Sequence, residues 1–403
     1  MTANAHEHVM KRSITIIFAV TAGTSAGCLY YLQPLLDGVA ADLGVSTPSA
    51  ALLISATQIG YLCGLTLVVP LGDFLERRRM VPALLVGSMA ALLFSALAPN
   101  FATLLVGVFV TGVTASAAQV VVPWSSALAG PEERGHVVGI VMSGLLLGIL
   151  LSRVLSGAVA EVGGWRAILF CAAGVQLLMS VAVYLLAPNT GPATSGERYP
   201  DVLLSIFALI GRHSVLRQRM LLGFLSMACF SGVWTAMSFL LAGDGSSGYR
   251  YSDFVIGLFG LAGVAGAAGA PRVGRLADRG HLVGVTTGTW AIVLASWVLV
   301  AWGGYNVIAL IVALLVFDFG IQGAHLANQT AVYALDPASR SRLTTAYMVA
   351  FFAGGVTGSV TGGIAYESGG WPRVCLIGFG TSVVALACWL VFWRADVNAR
   401  TRE

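Results

Sequence analysis

Along the chain, apolar stretches of about 20 residues alternate with short polar breaks, and at 1.5 Å per residue each can cross a hydrocarbon layer of about 30 Å as a helix. Twelve such helices are predicted, at 14–34, 49–70, 80–98, 101–122, 138–160, 166–187, 216–241, 252–271, 282–302, 306–334, 344–365 and 372–393. The spans take up about 240 residues and leave about 160 for eleven connections and two tails, so no soluble domain fits. The first apolar stretch is full length and has no polar region with a small-residue cleavage site behind it, which predicts a first helix rather than a cleaved signal peptide.

Composition turns this pattern into a class. Apolar residues make up 57% of the 403 and charged residues 10%, with mean hydropathy +0.85; soluble domains carry about 25% charged residues. An all-α integral membrane protein is expected. The one lysine, Lys11, excludes a Walker A loop, whose Lys must follow the Gly-rich turn. The six cysteines lie in apolar spans without CxxC or Cys/His spacing, so no metal and no cofactor are expected. With the N-terminus placed in the cytoplasm, eighteen of the 22 basic residues fall in inside segments, against Arg166, Arg250 and Arg373 outside and Arg153 within a span. This bias predicts that both tails are cytoplasmic, and it accounts for the net charge of +4 without a nucleic-acid partner.

The longest connection, 188–215, reads as a cytoplasmic linker between an N-terminal six-helix bundle (1–187) and a C-terminal one (216–403). A shift of 206 places Pro131 on Pro337, Arg134 on Arg340, Gly148 on Gly354, Gly157 on Gly363, Glu161 on Glu367, and Gly163-Gly164-Trp165 on Gly369-Gly370-Trp371. A shift of 205 carries Asp73 onto Asp278. The matches at the 206 offset, at equivalent helix ends, argue for duplication into two pseudo-symmetric bundles, the plan of a secondary transporter whose halves rock about a central site.

The segment Gly72-Asp73-Phe74-Leu75-Glu76-Arg77-Arg78, with a degenerate copy Gly274-Arg275-Leu276-Ala277-Asp278-Arg279, resembles the cytoplasmic loop motif of the major facilitator superfamily, and the resemblance covers essentially the whole chain. The glycine-rich fifth helix with Arg153, the GGW hairpins and the run FDFGIQGAHLANQ resemble bacterial drug or metabolite:proton antiporters of the arabinose-efflux-permease type. Val69 and Glu76 replace two motif glycines, Val108 stands where such antiporters often place an arginine, and the fifth helix lacks the family Gly-Pro. The resemblance implies a bacterial inner-membrane carrier, functional as a monomer, that exports its substrate against protons. It also implies gating by Asp73, Arg77, Arg78, Asp278 and Arg279; anchoring by the positive-inside rule is the other reading of the arginines.

Charges inside a bilayer give sharper candidates, because a helix-centre Asp or Arg costs about 2.5–3.5 kcal/mol and normally faces a partner or cavity. Asp318 and Arg153 stand out. Asp318, Gln322, His325 and Gln329 follow at helical spacing on one face of the tenth helix. Asp318 is the expected proton-coupling carboxylate, with His325 as relay and Arg153 as switchable counter-charge; a static polar bridge is the alternative. Tyr30, Tyr31, Gln33, Gln119, Trp234, Gln322 and Asn328 are expected to line an amphipathic pocket for a mostly apolar or neutral small molecule; interfacial belt or bundle core is the other reading of Tyr30, Tyr31 and Trp234. The Gly23-Thr24-Ser25-Ala26-Gly27 match to a nucleophile elbow lies inside a helix and reads as packing. An embedded enzyme lacks HExxH or a third catalytic partner, and a channel lacks a counterpart of Asp318 in the first repeat, where Gly112 stands. Proton-coupled uptake, or uniport, of a small nutrient such as a sugar or organic acid remains open beside export.

Overall fold

The computed structural model describes residues 12–130, 132–188, 198–243, 249–263, 273, 276, 279, 281–336 and 339–400, and among these there is no strand. The first helix is broken. α1 (Arg12–Gly27) gives way to turns and a short 3-10 segment at Gln33–Leu35 before α2 (Leu36–Leu43). Pro34, with no N–H to donate, sits in that segment. Helical structure therefore extends past the expected span of 14–34, to Leu43, where the exposed Gly44 caps it at φ 65°.

α3 (Thr47–Cys63) continues as a π turn over Gly64–Val68 and a 3-10 turn over Val69–Asp73, the latter carrying Pro70. α4 (Arg77–Ala96) follows. α5 (Phe101–Ala115), whose Asn100 cap accepts from the Thr103 N–H at 3.0 Å, and α6 (Ala117–Leu128) divide at Ser116 what the hydropathy pattern reads as one helix. α7 (Arg134–Gly163), α8 (Trp165–Leu186), α10 (Ser214–Ala242), α12 (Leu282–Trp302) and α13 (Val307–Tyr333) lie close to expectation. α11 (Asp253–Leu258) runs into a 3-10 segment, Phe259–Ala262; most of the rest of the predicted eighth span lies outside the described residues. The run Arg340–Arg400 is two helices broken at Gly369 and Gly370, here α14 (340–368) and α15 (371–400).

One element was not expected. Within the 188–215 linker, Tyr199–Arg212 forms a helix, α9, which buries Val202, Ile206 and Leu209 on one stripe. Tyr199 Oη donates to the Leu67 carbonyl at 2.6 Å and its ring meets Phe74 edge-on at 5.9 Å, while Ile206 and Leu209 pack with Val332, Leu343 and Tyr347. The linker is thus clamped to both halves of the chain.

Nine stretches of the described residues are long and apolar enough to cross a membrane, counting α3 with its π and 3-10 turns, α5 with α6, and α14 with α15 as one stretch each. The GGW sequences form equivalent turns: Gly164 at φ 72° and Gly370 at φ 61° take a backbone region costly for other residues. The tryptophans that follow donate indole N–H groups to Asp42 (3.1 Å) and the Val300 carbonyl (2.8 Å). Glycine permits the closest helix contacts. A Cβ at Gly148 would lie 2.1 Å from the Gly23 carbonyl oxygen, so α1 and α7 meet backbone to backbone, and Gly354 meets the Phe224 carbonyl in the same manner between α14 and α10.

Because successive spans alternate in direction, the turns at 43–47, 97–100, 163–165, 303–306 and 369–370 share one face, poor in arginine, and those at 73–77, 132–134 and 334–336 the opposite, arginine-rich face. The halves of the chain touch towards the arginine-poor face. α3 meets α14 through the Ser55–Ser359 hydroxyl pair at 2.5 Å, Gln58 Nε2 donates to Ser231 Oγ on α10 at 3.2 Å, and α7 meets α11 at Gly157 and Gly257.

Candidate functional site

α7 carries Arg153 to the seam against α11, where a Cβ on Gly257 would strike the Arg153 carbonyl and one on Gly260 its side-chain carbons. Arg153 is 2% exposed. Its Nε donates to Gln33 Oε1 at 2.8 Å, and its guanidinium carbon lies 4.7 Å from the Tyr30 ring centroid, 4.3 Å from Trp234 and 5.8 Å from Phe230. Three aromatic faces and one amide offset part of the cost of burying the cation. Among the described residues Nη2 has no partner within hydrogen-bond reach.

Asp318 lies at the middle of α13, also 2% exposed, and accepts from Trp234 Nε1 at 3.4 Å through Oδ1. Trp234 therefore stands between cation and carboxylate, stacked on one and donating to the other. Among the described residues no carboxylate lies within 4 Å of the Arg153 guanidinium, so the expected pairing is indirect. Gln33, Tyr30, Arg153, Trp234 and Asp318 form one contiguous group contributed by both halves of the chain.

His325 is placed elsewhere. It is two turns along α13, its Nδ1 lies 2.9 Å from Tyr347 Oη, and its ring is 4.3 Å from Phe351, so it makes no bond towards Asp318. Helical spacing puts the two on one face, but the tertiary partner of His325 comes from α14. Gln322 is half-buried beside it, and Gln329 approaches Met348 Sδ at 3.9 Å. Gln119 donates to Tyr61 Oη at 3.1 Å, and Tyr61 meets Phe352 edge-on at 4.6 Å. These rings and amides form a rim between the halves, towards the arginine-rich face. Tyr31 is not on that rim; it is buried in the first half, its carbonyl accepting from Ser156 Oγ.

Asn328 is fully buried and accepts from Arg219 Nη1 at 3.2 Å. Arg219 is itself the residue that span counting missed. Assigned to a basic cytoplasmic segment, it is 4% exposed, also donates to Thr286 Oγ1 at 3.1 Å and stacks on Trp389 at 4.6 Å. A signal existed: Leu216, Leu222 and Gly223, at helical spacing around it, form a buried face.

At the arginine-rich face Asp73 pairs with Arg77 at 3.1 Å, and Arg77 Nε donates to the Gly72 carbonyl. Arg78 donates to the Tyr184 carbonyl at 3.1 Å. These bonds stay within the first half. Arg279 is exposed and Asp278 lies outside the described residues.

Comparisons with known proteins agree with this architecture. A sequence model described as Major Facilitator Superfamily matches residues 15–337. The putative uncharacterized transporter YgaY of Escherichia coli (strain K12) is 41% identical over 387 residues, 96% of each chain. The probable transporter SCO4007 of Streptomyces coelicolor is 33% identical over 90% of this chain and 83% of its own. Among solved structures, a bacterial homologue of the human lysosomal transporter Spinster superposes with TM-score 0.79 at 12% identity, covering 95% of this chain and 96% of its own. The nucleoside transporter NupG does so with TM-score 0.74 at 14% identity, covering 94% and 99%.

Proposed function

The chain belongs to the major facilitator superfamily and is a multi-pass membrane transporter, and on that premise we propose that it exports a small, mostly apolar or neutral drug or metabolite in exchange for protons, Asp318 carrying the proton. The observation that supports this reading is a carboxylate buried at mid-membrane, at the contact of the two halves, with a buried cation one indole away and no direct ion pair. A carboxylate so placed changes the charge of the seam when it takes up a proton, which is the requirement for coupling protons to a rocking motion.

The arginine distribution favours cytoplasmic tails and a bacterial inner membrane, so the contacts at the arginine-poor face close the outer side. The substrate is then read on the rim of Gln119, Tyr61, Gln322, His325, Phe351 and Phe352, with Tyr30 and Trp234 at its deep end, where rings and amides suit a neutral molecule and fixed charges are few. Asp73 and the arginines after it serve as the inner latch, and residues 1–187 and 216–403 as the two rocking halves. The carrier works as a monomer in this reading. A second reading, uptake of a small organic acid together with protons, draws on Arg153 Nη2, which is free to receive an anionic group.

The test uses everted vesicles with an acid interior, challenged with hydrophobic cations, neutral antibiotics, sugars and organic acids while a dye reports the gradient. Under the export reading some compound collapses the gradient in wild-type vesicles and fails to do so with Asp318→Asn. Gradient-driven exchange that persists in Asp318→Asn would remove Asp318 from the proton path.

A further inference from the structure

The site holds a residue whose contacts point to a role other than lining a pocket. Trp234 is 2% exposed on α10, and its two sides meet different partners. Its N–H reaches Asp318 Oδ1 on α13 at 3.4 Å, and its ring lies against the Arg153 guanidinium of α7 at 4.3 Å. Arg153 is in turn the part of α7 on which α11 rests, through Gly257 and Gly260, close to where the arginine-poor face closes.

We propose that Trp234 transmits the charge state of Asp318 to the α7–α11 seam, so that it acts as the positioning residue of proton coupling. The inference rests on the reading of Asp318 as the proton site. An ionised Asp318 is a strong acceptor for the indole N–H and holds the ring over Arg153. Protonation turns that oxygen into a weak acceptor, the indole loses its anchor, and the guanidinium loses one of three aromatic faces. Among the described residues Arg153 has no spare partner to replace it, since its Nη2 is already unmatched. A buried cation so stripped favours the arrangement in which the seam parts and water reaches it. Among the described residues Arg153 is the charged group facing Asp318. From α10 Trp234 faces it, from the α11 side Gly263 approaches, and on its own helix the nearest titratable group, His325, is turned to Tyr347.

The test places spin labels at Val162→Cys and Ser252→Cys, exposed positions at the arginine-poor ends of α7 and α11, on the full chain in nanodiscs with its native cysteines replaced. Distance distributions are recorded across pH. In the otherwise wild-type chain the labels move apart as pH falls. In Trp234→Phe, which keeps a ring over Arg153 but loses the N–H, the pH-driven population shift shrinks about three-fold or more. Phe230→Leu removes another face over Arg153 but leaves the indole bond to Asp318, so it shifts the resting population towards the open arrangement while the size of the pH response stays as in wild type. A Trp234→Phe chain that elutes as a single folded species and follows pH like wild type, while Asp318→Asn does not respond, would overturn the role of Trp234 and leave Asp318 in place. A response that survives in Asp318→Asn would sink the reading of Asp318 itself. If Trp234→Phe fails to fold, Trp234→Tyr, which retains an O–H donor, must keep the response, and its loss there with intact folding counts against the proposal.

Discussion

At the scale of single residues, the buried polar side chains divide into those that sit between the halves and those that hold one half together. Arg219 belongs to the second group. Truncation in Arg219→Ala strips Asn328 and Thr286 of a charged donor and Trp389 of a cation, and should cost about 2–4 kcal/mol, read as a lower midpoint of thermal unfolding in detergent. Arg219→Lys should recover only part, because an ammonium cannot bond two oxygens and lie flat on an indole together. His325 gives the converse case. Its bond runs to Tyr347, so His325→Gln should keep the gradient-collapse signal that Asp318→Asn loses; equal loss in both would restore His325 as a relay. The sequence exposes Asp318 and Arg153 because charges at mid-membrane are rare. It does not expose Trp234 as their intermediary, since one apolar ring among nine tryptophans carries no periodic mark. The face of α13 is legible from spacing alone, while the partners of that face arrive from α10 and α14 and depend on tertiary packing.

At the scale of elements, hydropathy defines spans well and their interruptions poorly. The breaks after Gly27, at Ser116 and in the π turn after Cys63 leave the apolar run intact, so a window average passes over them. α9 escapes for a related reason, being a short helix with Pro200, Asp201 and Arg212 at its ends inside a polar linker. The hairpins are different, because GGW states its own geometry. Close packing is also testable here. In Gly148→Leu the side chain would meet the Gly23 backbone, which cannot turn aside as a side chain can, and overpacking of this kind costs about 1–3 kcal/mol or more. The expected result is a sharply reduced yield of monodisperse protein, whereas Gly139→Leu, where a Cβ meets nothing within 4 Å, should express as wild type. Outside the membrane, Asp42 receives N–H bonds from Arg166 and Trp165, which hold its carboxyl below the usual carboxylate range. A carboxylate favoured in the folded state adds stability above its ordinary value near 3.8, and that stability is lost as pH falls through the depressed one. Asp42→Asn should therefore lower the melting temperature slightly at pH 7 and leave it unchanged under strongly acidic conditions.

At the scale of the whole molecule, the contacts across the halves among the described residues are concentrated towards one face, and towards the other lies a rim of rings and amides, Tyr61 and Phe352 buried and Gln119, Gln322, His325 and Phe351 half-buried. A carrier that works by rocking must break those contacts once per cycle. The Ser55–Ser359 hydroxyl pair offers a direct handle, because a hydrogen bond at 2.5 Å puts the two side chains within the reach of a disulfide once both are cysteine. In the double variant Ser55→Cys, Ser359→Cys, oxidation should fix the arginine-poor face shut and stop transport, and a reductant should restore it. Each single variant should transport normally under oxidant, since neither can close the bridge. The lock also separates two meanings of a lost signal. A chain frozen in this state still presents the rim to the arginine-rich side, so a compound that wild type transports should go on binding to the oxidised protein, seen as a rise in its unfolding temperature. Transport that continues through the oxidised bridge would mean that α3 and α14 move as one body and that the seam between α7 and α11 alone opens the path.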